Sequence, residues 1–546
     1  MTGFKEILPV KGNDNGETFS KRPFLSRALS WILIIIISAG IILTFAGVFF
    51  STVVEKRAAS ELRKLNGEFT SLQINLFTRS VAIKNLVWQS PNTQYPHAIK
   101  LSGVRLQGIS LFQLFLNRTI AAEKLVLDSG SISINAVLKH DTVRSASGNP
   151  YSLEIKHIII RNVQTELKQD SLVEMKALLT VSYGTLIINV PGKLFESLKS
   201  GFRYVKGSIE QAQLRKINGF YAIKSDRIIF DSDNKLFGID SLKLIPNYGK
   251  YEFAKKLGRQ TDRVDLQVDQ IEFTGLNFHD LFDSLISIDK ISIHAAKLHA
   301  FRDKRITDKN IAVIPMPMAT LAKLPFGIEI DSIAIANSTI TIEELGAEAF
   351  QSGQINFQHL QALMVGLTNR YYSNKPQFAE LTANAKVMGS GAITASFRFP
   401  VDGSPMYSAK GLITNLPLQD LNSILENSAR IKIVSGKLNE LHFNFNYSDT
   451  KSTGIIEISY DDLVMSRLNL GKEKSTNFLK TLLLNSFVKT NKNKTTQQAE
   501  RLGTIDVLRD QQRFIFNYWW KSLQSGLKAS VMGSPDTPPQ KVKYSK

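Results

Sequence analysis

The chain has 546 residues, 43% of them hydrophobic and 21% charged, a balance that excludes a disordered chain. It has no cysteine, which excludes disulfides, thiolate nucleophiles and cysteine-held metals. Lys and Arg outnumber Asp and Glu by 67 to 48, for a net charge of +19. The positive residues are dispersed through strand-like sequence and form no run, so anionic lipid headgroups are the expected partner and nucleic acid is not.

Residues 1–30 are a polar leader, expected in the cytoplasm. From Trp31 to Phe50 the sequence WILIIIISAGIILTFAGVFF runs for twenty residues without a charge. In a helix that is about 30 Å, the thickness of a hydrocarbon core. The stretch is longer than the apolar core of a cleaved signal and lacks an A-x-A site. It also has no polar face, as a buried core helix would. Residues 31–52 are therefore expected to form an uncleaved signal-anchor, held by Trp31, Ile34, Ile37, Ile41, Phe45, Phe49 and Phe50. Lys5, Lys11, Lys21, Arg22 and Arg27 precede it, and Lys56, Arg57, Arg63 and Lys64 follow. Five positive charges against four set the N-terminus inside and the bulk of the chain across the membrane. Residues 53–67 read as a helical stalk ending at the C-cap signal Asn66-Gly67.

Residues 68–470 read as mainly β. Period-two alternation recurs at Leu72/Ile74/Leu76, Val264/Leu266/Val268, Ile291/Ile293, Ile333/Ile335 and Ile340/Ile342, each run bounded by turn residues. Short helices are expected at Ile109–Leu116, Leu276–Leu285 and Leu418–Asn427. A loose repeat links KLVLDSGSISI (124–134), KISIHAAKLHAF (290–301) and SIAIANSTITI (332–342). About 400 residues of strand exceed one compact core. Several sandwiches, a large barrel, or an elongated, curved, antiparallel sheet with a groove remain. Sandwiches want linkers, for which only Asn149-Pro150 and 314–325 are candidates, and the aromatic girdles of a membrane barrel are missing.

The elongated sheet needs its apolar face covered, since soluble proteins expose no more than a few hundred Å² in one patch. Few helices are on hand for a second layer, and lipid acyl chains would serve. Phe273, Ile291, Ile293, Ile333, Ile335, Ile340 and Ile342 are the candidates to line such a groove. Alternation alone does not fix which set faces inward, because a slip of one residue flips every side chain.

Residues 471–532 are expected to be helical. Ser475–Thr490 is apolar around most of its circumference. In Gln511–Met532, Phe516, Trp520, Leu523, Leu527 and Val531 form a stripe with Trp519 beside it, as a cap over the open end of the sheet or as an interfacial contact. Residues 533–546 are polar and Pro-rich, the composition of a disordered tail.

The chain carries no H-E-x-x-H, G-x-S-x-G, P-loop or G-x-G-x-x-G in a strand-to-helix setting. His294 and His299 lie close, but on opposite faces of an ideal strand. Asp231-Ser-Asp-Asn234 lacks the rest of a calcium loop and reads as a polar turn. No catalytic residue, metal or cofactor is expected, and the chain does not read as an enzyme. A hydrolase using paired carboxylates would leave no signature.

Four blocks carry a resemblance. Ser26 to Trp88 (basic flank, apolar span, short helix, then SLQINLFTRSVAIKNLVW) and Ile99 to Ile134 resemble the N-terminal part of AsmA-like proteins. LPLQDLNSILENSARIKIVSGKLNELHFNF (416–445) is similar to the family's L-x-x-L-N … G-x-L segment, and GTIDVLRDQQRFIFNYWWKSLQSGL (503–527) resembles the closing segment of its members in Bacteroidetes-type Gram-negative bacteria. The resemblance implies a periplasmic protein on an inner-membrane anchor, with an elongated β groove like that of bridge-like lipid-transfer proteins. It implies a role in phospholipid transport and outer-membrane homeostasis, and no catalytic residues. The alternative is a non-enzymatic periplasmic scaffold or assembly factor that binds envelope proteins. An envelope protein partner or an oligomer stays open.

Overall fold

The computed structural model describes residues 51–57, 59–60, 62–64, 66–89, 98–110, 119–135, 152–169, 172–184, 186–188, 205–217, 219–306, 313–371, 378–428, 430–467 and 501–532. The anchor at 31–50, the apolar segment 475–490 and the tail from 533 lie outside the described residues, as does most of Ile109–Leu116. Among the described residues no helix is long and apolar enough to cross a membrane.

Helix α1 occupies every described position from 51 to 64, and Asn66 follows it with φ 61°. Glu55 accepts a hydrogen bond from the amide of Ile74 at 2.6 Å, which ties α1 to the first strands. Those strands are β1 (Gly67–Glu68), β2 (Ser71–Asn75), β3 (Ser80–Gln89), β4 (Ala98–Gln107) and β5 (Thr119–Asn135). Next come β6 (Ser152–Gln169), β7 (Leu172–Tyr183), β8 (Leu186–Ile188), β9 (Val205–Ile217), β10 (Tyr221–Asp231) and β11 (Leu236–Pro246). Helix α2 (Phe253–Leu257) precedes β12 (Asp262–Thr274), β13 (Leu285–His294) and β14 (Lys297–Asp303). Helix α3 (Pro317–Ala322) leads into β15 (Gly327–Leu345), β16 (Gly353–Thr368), β17 (Phe378–Val387), β18 (Gly391–Pro400) and β19 (Tyr407–Pro417). After α4 (Asn422–Ser428), β20 (Ile431–Tyr447), β21 (Lys451–Arg467) and β22 (Arg501–Leu508) complete the sheet, and α5 (Ile515–Met532) closes the chain.

All the described strands belong to one long, curved sheet, so the elongated arrangement holds over separate sandwiches. The sheet is mixed, which corrects the antiparallel expectation. Most neighbours are antiparallel hairpin partners, but β5 runs parallel to β6, and β13 and β14 run parallel to β15. A parallel neighbour needs a crossover of a dozen residues or more. The one between β14 and β15 contains α3, an element that short-range patterning did not predict. The short helix expected at Leu418–Asn427 is present, as a 3₁₀ turn at Leu418–Leu421 that runs into α4. Two other expectations shift: Leu276–Leu285 yields only a 3₁₀ turn at Asp280–Asp283, and residues 501–508, inside the stretch expected to be helical, form β22.

The sheet curls strongly toward its end. Nine strand steps separate β12 from β22, about 40 Å at the usual spacing. Yet Arg513, just past β22, donates to the side chain of Gln260, just before β12, at 2.9 Å. The ordinary twist of 20–25° per strand accumulates to roughly half a turn over nine steps, which swings the far strand ends back.

Candidate functional site

Residues directly opposite one another in paired strands share a face, so the register traces rows across the sheet. One row begins with Leu72, Ile83, Val104, Leu127, Ile160 and Val181. It continues through Gly207, Phe230, Phe237, Phe273, Ile291 and Ile333. It ends with Met364, Leu381, Phe397, Ala409, Phe445, Gly454 and Ile505. No polar side chain interrupts it from β2 to β22.

A second row lies beside it. Leu86, Leu101, Gly130, Val163, Leu179 and Ile209 lead to Ile228, Ile239, Ile271, Ile293 and Ile335. Ala362, Ala383, Ala395, Gly411, Phe443, Ile456 and Gly503 carry it to the last strand. A third row runs from Ile134, Leu167, Met175, Leu214 and Ile223 through Leu244, Leu266 and Leu298 to Ile340, Phe357 and Val387. Phe357, Val387, Phe443 and Phe445 meet in one core cluster, so the three rows share a face. The opposite face is polar: a typical row there reads Lys290, Ser332, Val365, Glu380, Arg398, Ser408, Asn446, Thr453 and Asp506.

The rows keep one face only because the strands are bulged. From β9 to β16 the second and third rows lie five positions apart, an odd number that would flip a regular strand. Gln211, Ser241, Ala295, Asn337 and His359 each take a left-handed conformation in that interval, with φ between 51° and 54°. Each breaks the regular alternation there and lets residues five positions apart share a face, and at Gln211, Asn337 and His359 the register also shifts as in a β-bulge.

The face is filled at one end and open at the other. From β17 to β22 it is covered by the protein itself. Helix α5 lies against β21 and β22, and Trp519 stacks on Phe397 of β18 with ring centroids 4.3 Å apart. Tyr447 is fully buried, stacked on Tyr407 and met edge-on by Tyr518 and Trp519. Burial pushes the Tyr447 hydroxyl far above its usual range and that of Tyr518 up to about 12, so both stay neutral. Met316 from the crossover fills the same cluster. Arg509, whose side chain is 1% exposed, binds Asp449 and the carbonyl of Ile314, pinning the crossover to the end of β22. Over β3 to β11, by contrast, no helix among the described residues packs on the rows. Row residues there are mostly half-buried: Leu101 and Val163 are buried, Leu276 and Phe278 of the β12–β13 connection pack against Val181, Phe230 and Phe237, and Ile134, Met175 and Leu214 are 48%, 42% and 36% exposed.

The seven groove candidates fall together. Phe273, Ile291 and Ile333 are in the first row, Ile293 and Ile335 in the second and Ile340 in the third. Ile342 pairs with Ala300 and Ile355 one step further on the same face. The anchor residues Trp31, Ile34, Ile37, Ile41, Phe45, Phe49 and Phe50 lie outside the described residues. The C-terminal stripe is rotated from its expected place: Trp519, Leu523 and Leu527 pack inward, whereas Phe516 and Trp520 are 64% and 41% exposed. The buried face of α5 is Tyr518, Ser522, Gly526 and Ser530, small or polar residues that sequence patterning assigns to solvent. The rows on β3 to β11 were also missed as a set, because their strands read as separate hairpins.

The polar candidates are occupied structurally. The Asp231 carboxylate accepts bonds from Lys206, from the amides of Asp233 and Asn234 and from the Asn234 side chain, an Asx-type turn. Lys206 above all holds its pKa at about 2. The bulge at Ala295 turns His294 and His299 onto the same polar face, a correction to the opposite-face expectation. His294 contacts Asn337, and His299 contacts Glu343, 2.9 Å away. Burial alone would raise the Glu343 carboxyl, but bonds from Lys250 and Ser352, with the Lys250 charge and His299, hold it below its usual range. No cluster able to hold a metal occurs among the described residues. Comparison with protein-family models and with curated proteins finds no match.

Proposed function

We propose that this protein holds or conducts lipid acyl chains along the apolar face of its sheet, as a non-enzymatic lipid-binding protein of the cell envelope. One observation carries the reading: three adjacent apolar rows run across the sheet, and over β3 to β11 no described helix covers them. Water against such a face is unfavourable by about 25 cal/mol per Å², and flexible hydrocarbon fits a long, shallow strip better than a rigid ligand would. The charge-free span at 31–50 supports a single-pass anchor in the inner membrane with the sheet in the periplasm. The resemblance to AsmA-like proteins supports phospholipid transport and outer-membrane homeostasis as the setting.

A scaffold that binds envelope proteins is favoured by one region, β17 to β22, where the face is filled by α5 and the crossover. The two readings separate on what the open part holds. Mass spectrometry of the full chain, purified in a lipid-free polymer scaffold, is expected to find phospholipid at about one or more molecules per chain. Aspartate at Ile228, Ile239 and Ile271 together is expected to reduce it severalfold. Lipid unchanged by that substitution, or absent from the wild type, leaves the scaffold.

A further inference from the structure

The polar face of the sheet carries an unbalanced strip of charge. A row on that face reads Lys176, Gln213, Lys224, Lys243, Gln267 and Lys297, in strands β7, β9, β10, β11, β12 and β14. Its five strand steps span about 24 Å. Lys224 and Lys243 are directly opposite in register, an arrangement that destabilises a strand pair through like-charge repulsion. All four lysines are exposed, and none has an ion pair among the described residues. The rows beside it are different. On one side Glu210, Arg227 and Asp240 alternate in sign and lead to Gln270 and His294, and on the other Asp265 stands opposite His299. The strip is therefore specific to one row and not a consequence of the overall charge of +19.

We propose that this strip docks the outer face of the sheet on a bilayer surface rich in anionic phospholipid. Its chemistry selects that partner. Lysine ammonium groups are point charges suited to phosphate, and the intervening glutamines add neutral donors. The strip has no aromatic side chain on which nucleobases could stack. It also lacks the Trp, Tyr, Met and Arg anchors of protein interfaces, where Lys is depleted. The contact is electrostatic, without insertion, and independent of whether the opposite face holds lipid.

The test uses the full chain in phosphatidylcholine nanodiscs, mixed at low salt with separate vesicles of phosphatidylcholine alone or with phosphatidylglycerol, and scored by co-flotation. Capture is expected only by the phosphatidylglycerol vesicles, and added salt should abolish it as the charges are screened. The variant K176Q/K224Q/K243Q/K297Q is expected to lose binding on the order of several hundredfold, from roughly fivefold per lysine. A control with the same charge change at the exposed Lys84, Lys100, Lys386 and Lys410 is expected to stay within about fivefold of wild type. Matching unfolding midpoints for both variants show that each is folded. Equal losses in the two variants, unchanged capture by the strip variant, no preference of the wild type for phosphatidylglycerol, or tighter binding of a single-stranded oligonucleotide than of the vesicles would each overturn the proposal.

Discussion

A methyl group added at Gly503 would stand 1.9 Å from the carbonyl oxygen of Gly526 and 2.7 Å from the amide of Ser530, because α5 lies directly on the backbone of β22. Gly526 is confined in turn by the side chains of Ile456 and Ile505, 2.7–2.9 Å from an added methyl. This close approach lets Trp519 reach Phe397 and seal the filled end of the face. Gly503→Ala is expected to lower stability by about 1–3 kcal/mol, the usual cost of overpacking. Gly249→Ala, where the nearest atom is 3.6 Å away, serves as the comparison in urea unfolding. A Gly503 variant as stable as wild type would mean that α5 is not seated there. A lone glycine in a strand does signal that something approaches closely, but the sequence does not say what. On α5 the large apolar residues Phe516 and Trp520 drew the expected stripe one column away from the face formed by Tyr518, Ser522, Gly526 and Ser530.

Strands were the most legible elements, since period-two alternation survives wherever one face is apolar and the other polar. Their mutual order was less so. Parallel joins at β5–β6 and at β13 and β14 with β15 depend on crossovers, which leave no local pattern. The inward set was hidden by the bulges: Ile335 and Ile340 have opposite parity in an ideal strand and the same face here, because Asn337 is left-handed with φ 51°. Register also produces the facing pair Lys224 and Lys243. Lys243→Glu replaces repulsion with attraction and is expected to raise stability by about 0.5 kcal/mol in urea unfolding. A loss of stability would show that these lysines do not face each other.

Across the whole molecule, one face is apolar from the edge strand beside α1 to the last strand under α5, and one end of it is filled. Composition and alternation made a large, mainly β molecule with an apolar face legible. They did not reveal that the face closes on itself from β17 onward, since that follows from accumulated twist and from a helix that packs through small residues. The open part begins next to the chain segment that leads from the expected anchor, so lipid leaving a membrane there would meet the rows at once. The central claim is that acyl chains lie along these rows. It is tested most directly by placing a photo-crosslinking amino acid, one position at a time, at Ile228, Ile239 and Ile271 and at the adjacent outward-facing Arg227, Asp240 and Gln270, in cells. Phospholipid adducts at the three isoleucine positions and none at their neighbours are the predicted result. Adducts at both sets alike, or at neither, would contradict the account.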